Sequence, residues 1–259
     1  YGLDLGSYEI KVYDKKQDTI WKEKNVLAVQ DKKEIIAIGE DAYQMYEKTP
    51  PDIEVAFPMR DGVISRFNDM QNLLQNILKK NRHFSRGAEY VIAVPTDVTE
   101  VQKKAFFDLV IHSNAKAREV NIVERSIADA VGLGIDVQNT TGVMIINFGG
   151  ETTELSVLTE GGIVFNRLLK LGGTTLDQEI VNLVRNSHDF LIGSRTAEIL
   201  RQQFDVFNGD SETAFSVAGR DLITGLPMRK TISITLVRAA FKDTLLECMK
   251  AVRSMLDRT

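Results

Sequence analysis

The stretch "INFGGETTEL", residues Ile146 to Leu155, decides the fold because a Gly-Gly turn lies in it between two apolar, strand-like runs. A glycine-rich turn can present successive backbone N–H groups to one side, where they hold the oxygens of an anion. The same kind of turn can also simply reverse the chain in a hairpin. Taken alone, the stretch is compatible with both a phosphate cradle and a structural turn.

A second turn of the same design lies near the start of the chain. Asp4-Leu5-Gly6-Ser7 and Asn147-Phe148-Gly149-Gly150 each follow a short apolar strand with Asp or Asn and then glycine. Another glycine pair occurs at Gly172-Gly173. This near-repeat predicts a duplicated fold with a cleft between its halves, and it favours phosphate binding over plain chain reversal.

The order of predicted strands and helices indicates an α/β protein with two lobes. The polar run "DVQNTT" at 136–141 has no periodicity and marks the hinge. We place the first lobe at residues 1–140, with a small subdomain at about 29–59, and the second at 141–259, with a small subdomain at about 181–230.

Helical spacing predicts which faces of two helices are buried. One predicted stripe is Phe67, Met70, Leu74, Ile77 and Leu78, and the other, in the last helix, is Leu236, Ala240, Leu245, Met249, Val252 and Leu256.

A capping box is predicted at the start of a third helix, formed by Thr99 with Gln102, although Thr96 or Asp97 could cap that helix instead.

Composition restricts the class of partner and the compartment. The 259 residues carry a net charge of −4, which disfavours a nucleic-acid partner. A single cysteine, Cys248, excludes a disulfide framework and favours the reducing cytoplasm. We interpret the three histidines, His83, His112 and His188, as structural or solvated, because they are too scattered to form a metal site.

Several stretches resemble the actin and heat-shock chaperone ATPase superfamily, and within it the bacterial actin-like MreB/Mbl family of cell-shape-determining proteins. The resemblance covers essentially the whole chain. Chaperones lack four of these stretches, which are therefore specific to the cell-shape subgroup. The stretches shared with the superfamily are "GLDLGS", "FGGETTE" and "NIVERSIADAVG", and the specific ones are "PMRDGVI", "VPTDVTEVQKKA", "FLIGSRTAE" and "GRDLITGLP".

The resemblance implies an actin-like ATPase fold, with two duplicated, ribonuclease H-like lobes around a nucleotide cleft. It implies that ATP and Mg²⁺ bind in that cleft, and that copies of the chain form filaments at the inner face of the cell membrane. Cell-wall synthesis machinery is the implied partner. Family members continue past the final helix with an adenine-binding turn, so we expect the natural protein to extend beyond Thr259 and to bind nucleotide weakly without that part.

The resemblance also assigns site residues. It assigns Asp4 to the metal, through water, gives Gly6 and Ser7 as N–H donors to phosphate, and adds Tyr8 as a further cofactor-binding residue. Without the resemblance, Glu198 and Arg201 would be interpreted as a solvated pair on one helix face. With it, they are ribose and adenine contacts, and the remaining cofactor-binding residues are Asn147, Gly149, Gly150, Thr152, Thr153, Gly172 and Gly173.

Three positions depart from the family pattern in a way that predicts impaired hydrolysis. Asn147 replaces an aspartate, a change worth roughly 3 kcal/mol for a unit charge at about 5 Å, so Mg²⁺ should be held less tightly. Arg125 replaces the second of two acids, and a guanidinium cannot accept a proton from water. Glu151 replaces a glycine and is unfavourable beside a phosphate unless it points away.

Alternatives to a normal ATPase site remain open. Glu124 could act as the catalytic base only if its strand were rotated, because neighbouring residues on a strand face opposite ways. Glu9 would add a further negative charge beside the phosphate site. Arg125 and Glu151 could instead form a salt bridge across an empty cleft. The whole chain could be a catalytically inactive scaffold for cell-wall or division partners, and a chaperone ATPase is disfavoured because no substrate-binding domain follows.

A basic loop suggests a membrane contact. "LKKNRHFSRG", Leu78 to Gly87, surrounds the apolar Phe84 with basic side chains, each worth about 1 kcal/mol near anionic lipid. The resemblance places an apolar loop tip against the inner membrane, which makes Phe84 the candidate membrane residue. The alternative is a solvated loop whose phenylalanine packs back into the core.

Overall fold

A computed structural model describes residues 1–80, 87–113, 116–160, 162–203, 210 and 212–257. The chain divides into two compact units, Tyr1–Lys170 and Leu171–Thr259. The lobes and subdomains predicted from the sequence use a different boundary and stay a prediction. The first unit contains β1 (Gly2–Leu5), β2 (Glu9–Asp14), β3 (Thr19–Lys24), β4 (Leu27–Gln30), β5 (Glu34–Ile38), α1 (Glu40–Met45), β6 (Ile53–Ala56), β7 (Met59–Arg60), β8 (Val63–Ile64), α2 (Phe67–Lys80), β9 (Glu89–Val94), α3 (Glu100–Ile111), β10 (Glu119–Glu124), α4 (Arg125–Gly132), β11 (Val143–Phe148), β12 (Thr153–Thr159) and β13 (Gly162–Leu169).

The main sheet of the first unit has five strands in the order β10-β9-β1-β2-β3. β1 runs antiparallel to β2, with Asp4 opposite Lys11, and parallel to β9, with Asp4 opposite Ala93. β9 is in turn parallel to β10, with Ala93 opposite Val123. The carboxyl ends of these three parallel strands therefore lie at one edge of the sheet, where the turn after β1 and the start of α4 are found.

Helices α2 and α3 contribute to the core of this sheet as their sequences predict. On α2 the predicted stripe is confirmed, since Phe67 is partly buried and the other four residues are buried. The N-cap of α3 is Thr99, whose hydroxyl accepts from the Gln102 N–H while the Gln102 side chain accepts from the Thr99 N–H. The capping box is therefore formed at Thr99.

The other sheets of the first unit are small. β11, β12 and β13 form an antiparallel sheet in which Asn147 lies opposite Glu154 and Phe148 opposite Thr153. β12 is buried along almost its whole length. A further sheet has the order β5-β4-β6, and β7 pairs with β8 as a short hairpin around Asp61 and Gly62.

The second unit contains α5 (Gly173–His188), β14 (Phe190–Leu191), α6 (Ser194–Gln203), β15 (Ala214–Asp221), β16 (Pro227–Ser233) and α7 (Ile234–Leu256). Its sheet has the order β14-β15-β16, and Phe190 and Ile232 are buried in its core. Within the ranges given above, no helix has both the length and the apolar content needed to cross a membrane.

The predicted buried face of α7 is wrong in part. Met249 and Leu256 are 66% and 56% exposed, whereas Ala240 is buried as predicted. The buried side instead includes Ile234 and Val237, next to the Ser233 N-cap. The other buried residues of the helix are Phe241, Thr244, Ala251 and Met255.

Candidate functional site

The turns after β1 and β11 have the same internal construction. The Gly6 N–H donates to the Glu9 carbonyl at 3.1 Å, and the Gly149 N–H donates to the Thr152 carbonyl at 2.8 Å. In both turns, a β-carbon on the glycine would lie 2.8 Å from that carbonyl oxygen, which is too close for any other residue. The sequence near-repeat therefore corresponds to a repeated turn geometry.

This geometry corrects the predicted role of Gly6. Its N–H closes the turn on Glu9, so it is not directed at an external phosphate. The same holds for Gly149, whose N–H closes the second turn. Both glycines shape a cradle whose phosphate donors would have to come from the residues between the ends of each turn.

The two turns lie against each other although they are far apart in the sequence. A β-carbon on Gly150 would come within 2.5 Å of the Tyr8 β-carbon, so the glycine permits this close approach. The Tyr8 ring also receives the Lys24 ammonium at 3.6 Å from its centroid. The structure thus brings together the two glycine turns that the sequence predicts to share one site.

The β7–β8 hairpin bonds to both turns. The Gly62 N–H donates to the Ser7 hydroxyl at 3.1 Å. The Asp61 N–H donates to the Glu151 carboxylate at 2.8 Å, and the Arg60 guanidinium pairs with the same carboxylate at 3.1 Å. Glu151 is therefore held by the hairpin, and the alternative of a salt bridge between Glu151 and Arg125 is wrong.

Asn25 anchors the first turn from behind. It is completely buried, its Nδ2 donates to the Gly6 carbonyl at 2.7 Å, and its backbone N–H donates to the Tyr8 carbonyl at 3.0 Å. Sequence reasoning missed this residue. Asn25 lies between β3 and β4 and belongs to no recognisable motif. The only sequence signal for it is a polar residue next to an apolar strand.

Asp4, the predicted metal residue, lies between two basic side chains. The Lys11 ammonium is 2.9 Å from its Oδ2, and the Arg125 guanidinium is 3.5 Å from its Oδ1. The side chain of Arg125 is only 11% exposed, whereas that of Asp4 is 34% exposed. Each carboxylate oxygen of Asp4 therefore faces a positive charge of the protein itself.

Asn147 is connected to an acid that the sequence analysis did not single out. Its Nδ2 donates to the Asp129 carboxylate at 2.7 Å. Burial raises the pKa of Asp129, while the hydrogen bond from Asn147 and the charge of Arg125 oppose that rise. Asp129 is thus a partly buried carboxylate beside Asn147, the position where the family resemblance implies an aspartate.

Glu154, on β12, ties this region to two neighbouring segments. It is 3% exposed, and its Oε1 accepts from the Thr96 N–H at 2.9 Å and the Ser126 hydroxyl at 3.0 Å. Thr96 follows β9 and Ser126 lies in α4. These bonds fix the start of α4, and therefore Arg125, relative to the second turn. The adjacent predicted site residues Thr152 and Thr153 are also buried.

The predicted residues of the second unit form a cluster of their own. Arg201 makes two bonds to Asp177, at 2.6 Å and 3.2 Å, and its guanidinium lies 3.3 Å from the β-carbon position of Gly173. Glu198 is 5% exposed and accepts from Gln202 at 2.9 Å. Glu198 and Arg201 are therefore not a solvated surface pair. Gly172 is the N-cap of α5.

The comparison with protein families decides the ancestry of this arrangement, since the family model described as MreB/Mbl protein matches residues 1–259. The chain belongs to the MreB/Mbl family. "Cell shape-determining protein MreB" of Escherichia coli (strain K12) is 32% identical over 265 residues, covering 99% of this chain and 76% of that relative. "Cell shape-determining protein Mbl" of Bacillus subtilis (strain 168) is 30% identical over 263 residues, covering 100% and 78%.

Solved structures give the fold. MreB5 of Spiroplasma citri, solved with AMPPNP and with ADP, matches with a TM-score of 0.92 at 30% identity, covering 100% of this chain and 78% of that chain. A MamK double helical filament matches in fold, with a TM-score of 0.78 at 20% identity and coverage of 99% and 79%. The predicted actin-like ATPase fold is confirmed.

Within the MreB/Mbl fold, the position of Glu124 does not favour it as the catalytic base. Glu124 ends β10 and lines a cleft of about 510 Å³ together with Ile127 and Val131 of α4 and Ile135, which follows that helix. Arg125, the next residue, reaches Asp4 instead. Glu124 and Arg125 therefore face different surroundings at the point where β10 ends and α4 begins.

The residues at this MreB/Mbl site fit a carboxylate-held Mg²⁺ poorly. Asp4 already pairs with Lys11 and Arg125, and Asn147 directs its amide N–H₂ at Asp129. In the part of the chain that the structure describes, no group of three His, Cys, Asp or Glu side chains could hold a metal ion.

The predicted membrane residue, Phe84, lies outside the described residues.

Proposed function

We propose that this chain is an actin-like cytoskeletal protein that binds ATP at its paired glycine turns, polymerises at the inner face of the cell membrane and helps to determine cell shape. The observation that carries this proposal is the contact of Gly150 with Tyr8, because it joins two turns of identical construction. The AMPPNP and ADP bound to Spiroplasma citri MreB5, and the cell-shape names of the curated relatives, support it.

The phosphates are proposed to lie between the two turns. Gly6 and Gly149 close the turns, so the N–H groups of Ser7, Tyr8 and Gly150 are the proposed donors. Thr152, Thr153 and Asn147 complete the second turn. Gly172, Gly173, Glu198 and Arg201 are proposed as further nucleotide contacts on the strength of the family resemblance.

Calorimetric titration with ATP, ADP and AMPPNP tests nucleotide binding. We expect saturable binding that Gly150→Val weakens by at least about tenfold, since the added side chain would separate the two turns. Gly132→Ala is the matched control, because a β-carbon there meets nothing within 4 Å. A protein that folds but shows no heat with any of the three nucleotides contradicts the proposal.

Filament formation and membrane contact need separate measurements. Electron microscopy of the protein with ATP and vesicles containing anionic lipid should show filaments on the vesicle surface, and bare vesicles would contradict the polymer. Co-sedimentation should fall for Phe84→Ala relative to the parent protein. Equal pelleting of the two proteins would show that Phe84 does not contribute to membrane binding. The filament proposal would then be tested by the microscopy alone.

A second candidate function is a catalytically inactive scaffold that binds cell-wall or division partners without ATP turnover. The ion pair of Arg125 with Asp4 favours it, because a guanidinium occupies the position of the family acid and cannot activate water. Phosphate release measured with saturating ATP separates the two functions. Steady turnover would contradict the inactive scaffold, whereas its absence supports the scaffold over a hydrolysing polymer.

A further inference from the structure

The charge arrangement around Asp4 goes beyond the proposed function. We infer that Lys11 and Arg125 supply from the protein itself the positive charge that a divalent metal would supply, so that a nucleoside polyphosphate binds here without Mg²⁺. This inference rests on the proposed function, because it concerns the same paired turns.

The sheet register fixes the position of Lys11. It lies directly opposite Asp4 in the antiparallel pair β1–β2, so both side chains are on the same face of the sheet. Their charged atoms are 2.9 Å apart. Shifting this pairing by one residue would turn every side chain of the hairpin to the opposite face, so the ammonium is held beside the first turn by the fold itself.

The parallel strands fix the position of Arg125. It is the first residue of α4, immediately after β10, and the carboxyl ends of β10, β9 and β1 lie at the same edge of the main sheet. Its side chain is largely buried, and a guanidinium can bind two oxygens side by side. It is therefore suited to phosphate oxygens as well as to Asp4.

Asp4 offsets one of the two positive charges, and two other acidic side chains nearby are hydrogen-bonded to other groups. Glu151 is turned to Arg60 and to the Asp61 N–H of the β7–β8 hairpin. The Asp129 carboxylate accepts a hydrogen bond from the Asn147 side-chain amide. At the two positions where the family resemblance implies an acid, this chain has the neutral Asn147 and the positively charged Arg125. Relative to the family pattern, the site therefore lacks one metal-holding carboxylate and has a cation where the pattern has a water-activating acid.

The test is a titration of ATP and ADP into the full chain, once with saturating Mg²⁺ and once with excess EDTA. We expect the two affinities to agree within about threefold for the parent protein. Arg125→Gln and Lys11→Gln should each weaken binding in EDTA by roughly tenfold or more. Added Mg²⁺ should recover part of that loss, because Asp4 is then released from a competing cation.

Lys104→Gln is the control for removing a positive charge. Lys104 is 74% exposed and pairs with Asp108 on the surface of α3, so its loss should leave both affinities unchanged. Circular dichroism and thermal unfolding of each variant confirm that a weakened affinity is not a loss of fold.

Two outcomes distinguish the inference from the function beneath it. If the parent protein binds at least about tenfold more weakly in EDTA than with Mg²⁺, the inference is overturned while nucleotide binding stands. If a folded protein binds neither nucleotide under either condition, the proposed nucleotide function is overturned, and the inference falls with it.

Discussion

Gly150 lies directly against Tyr8, with room for a hydrogen atom but not for a methyl group, since a β-carbon would be 2.5 Å from the Tyr8 β-carbon. The contact is made close to the backbone, where Tyr8 cannot move aside by rotating its ring. Gly150 in the second turn is therefore required by the position of Tyr8 in the first turn.

Replacing Gly150 with alanine should consequently lower the free energy of unfolding by about 1–3 kcal/mol, the usual cost of forcing an extra carbon into a packed contact. Gly132→Ala, in the last turn of α4, should be neutral or slightly stabilising, because its β-carbon meets nothing and alanine favours a helix. Urea unfolding followed by circular dichroism measures both. Equal midpoints for the two variants would contradict the close approach.

Removing the side chain of Asn25 should loosen the first turn. Asn25→Ala leaves the partly buried Gly6 carbonyl without its side-chain donor, so we expect a loss of about 1–3 kcal/mol in unfolding free energy. Nucleotide affinity should fall as well. Asn72→Ala, on the exposed side of α2, is the matched control and should change the free energy by less than about 0.5 kcal/mol. A stable Asn25→Ala with normal affinity would show that the turn keeps its shape unaided.

The Arg201–Asp177 pair should stabilise the second unit more than a surface ion pair does. Asp177→Asn weakens a two-bond contact that is mostly buried, and since Arg201 is about a quarter exposed we expect a loss of about 1–3 kcal/mol rather than the full cost of a buried charge. Asp108→Asn, whose partner Lys104 is largely exposed, should cost less than about 1 kcal/mol. Thermal unfolding measures the loss of stability in both variants, and equal losses would contradict this prediction.

The hairpin β15–β16 carries a carboxylate whose ionisation should stabilise it. Asp221 Oδ1 accepts from the Thr224 N–H at 2.8 Å, and its Oδ2 accepts from the Lys230 ammonium at 2.9 Å. The pKa of Asp221 is held well below its usual range, mainly by the hydrogen bond from the Thr224 backbone N–H and next by the one from Lys230. The ionised form is therefore favoured in the folded state.

This depressed pKa gives a pH dependence with a definite sign. The stability that Asp221 contributes is present above the pKa of an unfolded aspartate, about 3.9, and is lost as the pH falls from there towards the lower folded pKa. The difference in unfolding free energy between the parent protein and Asp221→Asn should be full at neutral pH and shrink below about pH 4. Denaturant unfolding over a series of pH values checks this. A constant difference over the whole range would contradict it.

Local patterns account for what the sequence could predict. The two turns were predictable because Gly6 and Gly149 are required by steric contact within a few residues of the chain. The stripe on α2 was predictable because helical periodicity alone defines it. The pairing of Lys11 with Asp4 also follows from hairpin register once the turn that ends at Glu9 is known.

Contacts between distant segments were not predictable in this way. Asn25, and the hairpin residues that hold Glu151, act through positions that no local spacing specifies. The interpretation of Glu198 and Arg201 as a solvated pair failed because a spacing of three residues suits a surface pair and a buried contact equally well. The face of α7 was mispredicted in part because Met249 and Leu256 are apolar but exposed, and apolar character alone does not distinguish exposed from buried positions.

The β7–β8 hairpin has a dynamic consequence. It bonds to Ser7 of one turn and to Glu151 of the other, so neither turn can shift without breaking a contact with the same short segment. Fluctuations of the two turns are therefore coupled, and the amide protons of both should exchange with solvent through one shared local opening of the hairpin.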